Sequence, residues 1–276
     1  MKIIYRNFTR LLSMGGFEEH RSVEAMSEYK WNRLLAIAEA CDVPDFIYIG
    51  IVKSDKAIIP SRILTEVTEK LRQFEKKHDE TDGNMDTIVK QLPKKFTAYY
   101  LNRRYSKLVF NEIHSIDTSI NSLVLLNRII DCVNIFFDYG LDIRKLLSLG
   151  TYIRSYGDKV DFVKVENWID TLGLDKMCNY IACHLILLFN FEQQELPFVK
   201  NVNKKQLDFI QRTLEQNMEK VALSSKDKTM LSGDKLTINP IHRLNSHPLK
   251  YIRFCPIEAV LRFTSNALKS LSNIDE

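Results

Sequence analysis

The run Ile120-Asn121-Ser122-Leu123-Val124-Leu125-Leu126-Asn127-Arg128-Ile129-Ile130-Asp131-Cys132-Val133-Asn134-Ile135-Phe136-Phe137 decides how this chain folds. Leu123, Leu126, Ile130, Val133 and Phe137 recur at spacings of three and four, the mark of a helix. Apolar residues also fill most of the positions between them. A helix that is apolar nearly all round has little surface to offer water and belongs at the centre of a bundle. Asn121, Asn127, Arg128, Asp131 and Asn134 interrupt the run. A membrane span wants about 18 or more nearly uninterrupted apolar residues, so this reads as a core helix, and no membrane partner is expected. Ser119 or Ser122 starts it and Gly140 breaks it.

Helical spacing continues in both directions. On the N-terminal side, Ser27 is placed to cap a helix with Trp31, Leu34, Leu35 and Ala38 on one face. Pro60-Ser61 opens another, striped by Leu64, Val67, Leu71 and Phe74. Asp82-Gly83-Asn84 marks a turn within the polar stretch 79–86. After Pro93, a long helix is predicted over Lys94–Ser115 with Leu101, Tyr105 and Leu108 inward. On the C-terminal side, Ile143, Leu146 and Leu147 mark a helix that stops near Gly157. Asp161 caps a short one that runs through Trp168 to Leu172, and Gly173 supplies the left-handed residue after it. Leu174–Asn190 is apolar and helical, Lys204–Ala222 is amphipathic, and a last helix spans Pro256–Leu271.

The 276 residues include 9 glycines and 7 prolines, a poor supply for the turns that strands need. Short β-like runs at Phe46–Val52 and Leu236–Ile238 suffice for an accessory hairpin at most. The expected fold is all-α, an irregular multi-helix bundle. It reads as a single domain over 1–276, with an N-terminal part at 1–118, a C-terminal part at 119–276, and a long loop near 223–247.

Composition describes an ordinary globular protein, at 45% hydrophobic and 27% charged residues. Lys plus Arg exceed Asp plus Glu by 39 to 35, a net charge of +4. The signs alternate along the chain, as in Glu66 and Lys70, which gives solvated helix faces rather than a phosphate-binding patch. Five scattered cysteines, Cys41, Cys132, Cys178, Cys183 and Cys255, include no CxxC pair, and this favours buried thiols in a reducing compartment. No apolar run precedes the first charges, so the expected location is cytoplasmic.

The usual chemical motifs are missing. Gly15-Gly16 is followed by no Lys-Ser or Lys-Thr at phosphate-loop spacing and reads as a helix-ending turn. Cys178, Cys183 and His184 are close in sequence but point in different directions on a helix, too dispersed for a zinc shell. Asp138 and Asp142 bracket Gly140 as a turn between helices, while Asp158 and Asp161 read as caps. None forms an Asp-x-Asp pair on a strand, the arrangement two-metal phosphoryl transfer needs. No cofactor or metal is expected.

Several stretches resemble a large bacterial family of nucleotidyltransferases. They are Arg6-Asn7-Phe8-Thr9-Arg10-Leu11-Leu12, Glu24-Ala25-Met26-Ser27 and Lys30-Trp31-Asn32-Arg33-Leu34 at the start. Gly140-Leu141-Asp142-Ile143-Arg144-Lys145-Leu146 is similar to that family's Gly-x-x-Leu-Arg-Gln-Leu helix. Tyr156-Gly157-Asp158-Lys159-Val160-Asp161, Leu172-Gly173-Leu174 and Glu195-Leu196-Pro197-Phe198 follow at similar spacing. Arg253-Phe254-Cys255-Pro256-Ile257-Glu258-Ala259 and Asn273-Ile274-Asp275-Glu276 resemble its ending. The resemblance implies that the catalytic palm, with its Leu-Lys-Gly turn and Gly-Asp-x-Asp strand, is deleted here. Where the family has a His ahead of the glycine and an Asp after the Arg-Gln-Leu stretch, this chain has Asn134 and Ser148. No catalytic residue is carried over.

Three readings follow. The first is a non-catalytic helical relative that binds or regulates a protein partner or a catalytic paralogue. The second is a helical nucleic-acid-binding regulator, drawing on Lys94, Lys95, Arg103 and Arg104 interleaved with Phe96, Tyr99 and Tyr100. The third is an active nucleotidyltransferase with unorthodox residues, in which Arg103, Arg104 and Lys107 hold phosphates. Arg103, Arg104, Lys107 and Arg144 are the candidate binding surface. The central placement of 120–137 predicts that Phe136→Asp unfolds the protein; a cooperative melt in that variant would show the placement to be wrong.

Overall fold

The computed structural model describes residues 2–17, 19–78, 96–138, 140–199, 202, 205, 207, 208, 210–212 and 248–272. Its helices are α1 (Lys2–Gly16), α2 (Glu28–Ala40), α3 (Pro44–Lys53), α4 (Ser61–His78), α5 (Tyr99–Ile113), α6 (Ile120–Asp138), α7 (Ile143–Tyr156), α8 (Phe162–Leu172), α9 (Asp175–Phe189) and α10 (Pro256–Ser272). Residues 205, 207, 208 and 210–212 are also helical, and there is no strand among the described residues. The expected all-α fold is what the chain adopts. The turn at Asp82-Gly83-Asn84, Lys94 and Lys95, the 223–247 loop and the Leu236–Ile238 run lie outside the described residues.

The chain divides into two compact units. One comprises 1–84, 183–191 and 203–235, and the other 85–182, 192–202 and 236–276.

In the first unit, α1 and α3 cross with almost nothing between their backbones. A Cβ placed on Gly15 would sit 1.9 Å from the Phe46 carbonyl oxygen, and one on Gly50 would sit 2.3 Å from that of Leu11. Each helix therefore contributes a glycine at the point where the other's backbone passes. Gly16 does end α1, as a helix-ending turn would, but Gly15 is there to let α3 approach. This also explains why Phe46–Val52 is helical rather than a strand. Pro44 starts α3 at a position where its missing N–H is harmless, and Asp45 lies in the first turn. Ile47, Tyr48 and Ile51 are buried along a helical stripe. Packing against α1 overrides the β propensity of the isoleucines and the tyrosine.

The entry into α2 is tied back to α1. Asn7, fully buried, donates to the Glu24 carbonyl at 2.8 Å and accepts the Glu24 N–H at 2.9 Å. Arg6 grips the Glu24 carboxylate with two hydrogen bonds of 2.7 and 2.8 Å, and Arg10 adds a third. The Arg6 hydrogen bond holds that carboxyl below its ordinary value. Ser27 occupies the N-cap of α2 without a side-chain bond. Of the stripe expected on α4, Val67 is buried and Leu64 and Leu71 are half-buried, Ile63 is buried beside Val67, and the Phe74 side chain lies outside the described residues.

The second unit is built round α6. Leu123, Leu126, Ile130, Val133 and Phe137 are all buried, as an apolar-all-round helix requires. By length and composition α6 could cross a membrane, yet 61% of its apolar window is buried inside the protein, the usage of a core helix. Phe136 and Phe137 meet Tyr251 edge-on at 5.9 and 5.8 Å, and Tyr180 joins them. Leu101, Tyr105 and Leu108 face inward from α5, which begins at Tyr99 and ends at Ile113. Asp142 and Asp161 cap α7 and α8 by accepting the Lys145 and Lys164 amides, and Gly173 ends α8 with φ +65°.

The α1–α3 crossing fixes the sign of a simple test. In an open helix, Gly50→Ala would stabilise by about 1 kcal/mol through propensity. Here the new methyl meets backbone, and the expected result is a loss of about 1–3 kcal/mol in urea denaturation. A stabilised variant would mean that the two backbones are not in contact.

Candidate functional site

The last helix is turned the opposite way from what its composition suggests. Glu258 is 0% exposed and Arg262 7%, whereas Ile257 is 51% and Leu268 66% exposed. The reason lies at the start of α5. The first amides of a helix have no partner within it and need an acceptor. Thr97 N–H donates to Glu258 Oε1 at 2.7 Å and Ala98 N–H to Oε2 at 2.9 Å. Glu258 thus caps α5 from α10, with its negative charge at the positive end of the α5 dipole.

A carboxylate buried this way must also be neutralised. Arg262, one turn along α10, donates from Nε to Glu258 Oε1 at 2.7 Å. Its Nη1 reaches Asp138 at 2.8 Å and the Asn134 carbonyl at 3.2 Å, and Nη2 donates to Asn134 Oδ1. The guanidinium lies 5.4 Å from the Phe137 ring centroid. One glutamate and one arginine therefore join the start of α5, the end of α6 and α10.

The two positions where the family resemblance would place reactive groups are both engaged by arginines. Asn134 binds Arg262. Ser148, on α7, accepts from Arg128 of α6, whose guanidinium sits 4.8 Å from the Tyr152 ring. The carboxylates that bracket Gly140 are occupied too, Asp138 by Arg262 and Asp142 by the α7 cap.

Of the residues expected to form a binding surface, Arg103, Arg104 and Lys107 are exposed on α5. Arg103 and Lys107 are one turn apart on one face. Arg104 is directed elsewhere, donating to the Thr171 carbonyl at 3.1 Å and lying over Tyr100. Arg144 is half-buried on α7, a different helix. The structure thus brings Arg103 and Lys107 together and assigns Arg104 a structural contact.

The buried thiols are poor nucleophiles. Cys132, Cys178, Cys183 and Cys255 are buried and Cys41 is half-buried. Burial pushes the Cys132 thiol up to about 12 and that of Cys183 to about 11, so almost no thiolate forms at neutral pH. His184 is buried at 3% exposure. Among the described residues, no three of His, Cys, Asp or Glu converge to hold a metal ion.

Sequence reading missed the exposed face of α10. Ile257, Leu261 and Leu268 follow helical spacing, and that pattern alone assigns them to the core. An acid four residues before a base is ordinarily a solvated pair on a helix surface, and this spacing hides the burial of Glu258 and Arg262. Nothing in the local sequence shows that the cap of α5 reverses the helix.

The network predicts a coupled loss of stability. Arg262→Met leaves a buried carboxylate without its partner and should cost about 3–5 kcal/mol. Adding Glu258→Gln removes that stranded charge, so the double variant should lose less than the two single losses combined. Strictly additive losses in urea denaturation would show that the two residues act independently.

Comparison with known proteins returns nothing to set beside this geometry: no protein-family model, curated protein or solved structure matches the chain.

Proposed function

We propose that the chain is a non-catalytic helical relative of the nucleotidyltransferases, and that it acts by binding or regulating a protein partner or a catalytic paralogue. The observation that supports this reading is the engagement of Asn134 and Ser148 by Arg262 and Arg128. Nucleotidyl transfer needs carboxylates that hold metal ions against the triphosphate, and a base or ligand nearby. At the two positions in question the chain carries an amide and a hydroxyl, each hydrogen-bonded to an arginine from another helix. Asp138 and Asp142 are likewise taken up, by an ion pair and a helix cap. Side chains bound in this way hold α6, α7 and α10 together rather than await a substrate.

The exposed apolar face of α10 agrees with a role in binding. Contiguous apolar surface on a folded protein is a common mark of interaction sites.

Calorimetric titration with ATP, CTP, GTP and UTP in the presence of Mg²⁺ tests the reading. No saturable heat is expected at nucleotide concentrations up to about 1 mM. Saturable, metal-dependent binding would overturn it and make the chain an enzyme with unorthodox residues.

A further inference from the structure

The outward side of α5 is set by helix geometry. With Tyr99 as origin and about 100° per residue, Phe110, Arg103, His114 and Lys107 fall at about 20°, 40°, 60° and 80°. These five side chains share one arc, opposite the buried Leu101, Tyr105, Leu108 and Glu112. Tyr99 is 80% and Phe110 61% exposed, and Arg103, Lys107 and His114 are exposed with them. The stripe is about 22 Å long, with rings at both ends and the two cations between.

The acids nearest this stripe are engaged elsewhere. Glu112, the acid of α5, is turned in to accept the Ser119 amide and the Lys164 ammonium. Asp117, past the end of the helix, pairs with that same Lys164 at 3.4 Å. On α8, Asp170 neighbours Thr171, whose carbonyl takes Arg104, and Arg104 lies about 60° beyond Lys107. The Arg103 and Lys107 side chains have no ion-pair or hydrogen-bond partner among the described residues. Phe110 and His114 stack with centroids 4.2 Å apart and a tilt of 32°, so two rings form one platform.

We propose that this face of α5 binds single-stranded nucleic acid. Bases stack on Tyr99 at one end and on the Phe110–His114 pair at the other, and the phosphates between lie against Arg103 and Lys107. Such stacking tolerates any sequence, because every base has a π-face. A duplex shows only base edges in its grooves and offers the rings nothing to stack on. The length of the stripe suits the short end of single-strand sites, about four nucleotides. The residues differ from those that spacing suggested, since Phe96 is 4% exposed and Arg104 is committed to Thr171. This ligand is additional to the protein partner of the reading above and meets a different helix from α10.

The test is fluorescence anisotropy of the full chain with a fluorescein-labelled oligothymidylate of about 12 nucleotides, in EDTA, at salt from about 50 to 200 mM. Saturable binding is expected with a Kd of about 1–100 μM at low salt, weakening as salt rises. Arg103→Gln with Lys107→Gln should flatten the slope of log K against log salt by about 1.4, since each phosphate contact to a single strand contributes about 0.7. Tyr99→Ala with Phe110→Ala should weaken binding at least about tenfold and leave that slope unchanged. Lys30→Gln with Lys56→Gln, exposed cations of the other unit, should change neither. All six side chains are exposed, so the melts of the variants should match that of the native chain.

No saturable binding below about 1 mM would overturn the proposal. So would a salt slope that the Arg103 and Lys107 changes leave unaltered, or ring variants that bind as tightly as the native chain. Equal binding of a labelled glutamate-rich peptide of the same charge would overturn it in favour of an acidic protein segment. Equal binding of a labelled duplex would show that charge alone attracts the strand and that the rings do not stack. None of these results touches the non-catalytic reading, because EDTA removes the metal that nucleotidyl transfer needs. Metal-dependent nucleotide binding would overturn that reading and leave the α5 face as it is.

Discussion

The second unit depends on one buried carboxylate. Glu258 accepts the first two amides before α5, and those amides cannot be satisfied by α5 itself. Every other feature of α10 follows from that requirement. A buried anion needs a cation, so Arg262 is buried with it. A buried arginine has more donors than one carboxylate can use, so it takes Asp138 and Asn134 at the end of α6 as well. With Glu258 and Arg262 committed inward, α10 leaves Ile257, Val260, Leu261 and Leu268 facing water. Ordinary amphipathic packing runs the other way, and its reversal here results from satisfying hydrogen bonds before burying hydrocarbon. The gain is one of position as much as stability, because buried ion pairs often do no better than apolar residues of similar shape.

The first unit is held by a different constraint. Gly15 and Gly50 remove the side chains that would separate α1 from α3, so the two backbones approach within the reach of a single methyl group. Close approach maximises dispersion contacts for the residues flanking the crossing, and Leu11, Leu12, Ile47 and Ile51 are all fully buried there. Asn7 then fixes the chain that leaves α1 by using both its amide donor and its carbonyl on the Glu24 backbone. Such two-way pairing fits asparagine, which carries a donor and an acceptor at the right separation. Arg6 and Arg10 reinforce it at the surface, where screening by solvent keeps their contribution small.

Much of the helical plan was legible in the sequence because its signals are local. The apolar run 120–137 could only be a core helix, and α6 is one. Asp142, Asp161 and Gly173 sit at helix ends because of backbone chemistry that a few neighbouring residues decide. What was not legible depends on residues far apart in the chain. Phe46–Val52 carries the β-branched and aromatic residues of a strand, and only its crossing with α1 makes it a helix. On α4 the expected Val67 is buried, but Ile63 joins it inside while Leu64 and Leu71 stay half-buried, which spacing alone does not decide. Arg104 looked equivalent to Arg103 until the Thr171 carbonyl, 67 positions away, distinguished them. The face of α10 is the strongest case, since its decisive partners are the amides of residues 97 and 98.

The same reasoning accounts for which charges α5 and α10 leave exposed in a chain with a net charge of +4. Net charge averages over all ionised groups, but a partner meets only those that remain exposed. On α5 and α10 the acids are used up as internal acceptors, Glu112 for the α5–α6 connection and Glu258 for the start of α5. Carboxylates suit that task because each offers two oxygens to backbone N–H groups. Arginine and lysine have only donors, and among the described side chains of α5 and α10 it is Arg262 that finds enough buried acceptors to be drawn in. Arg103 and Lys107 are left outside. Capping therefore biases the charge that stays exposed: satisfying amides inside the fold consumes Glu112 and Glu258 and leaves Arg103 and Lys107 at the surface.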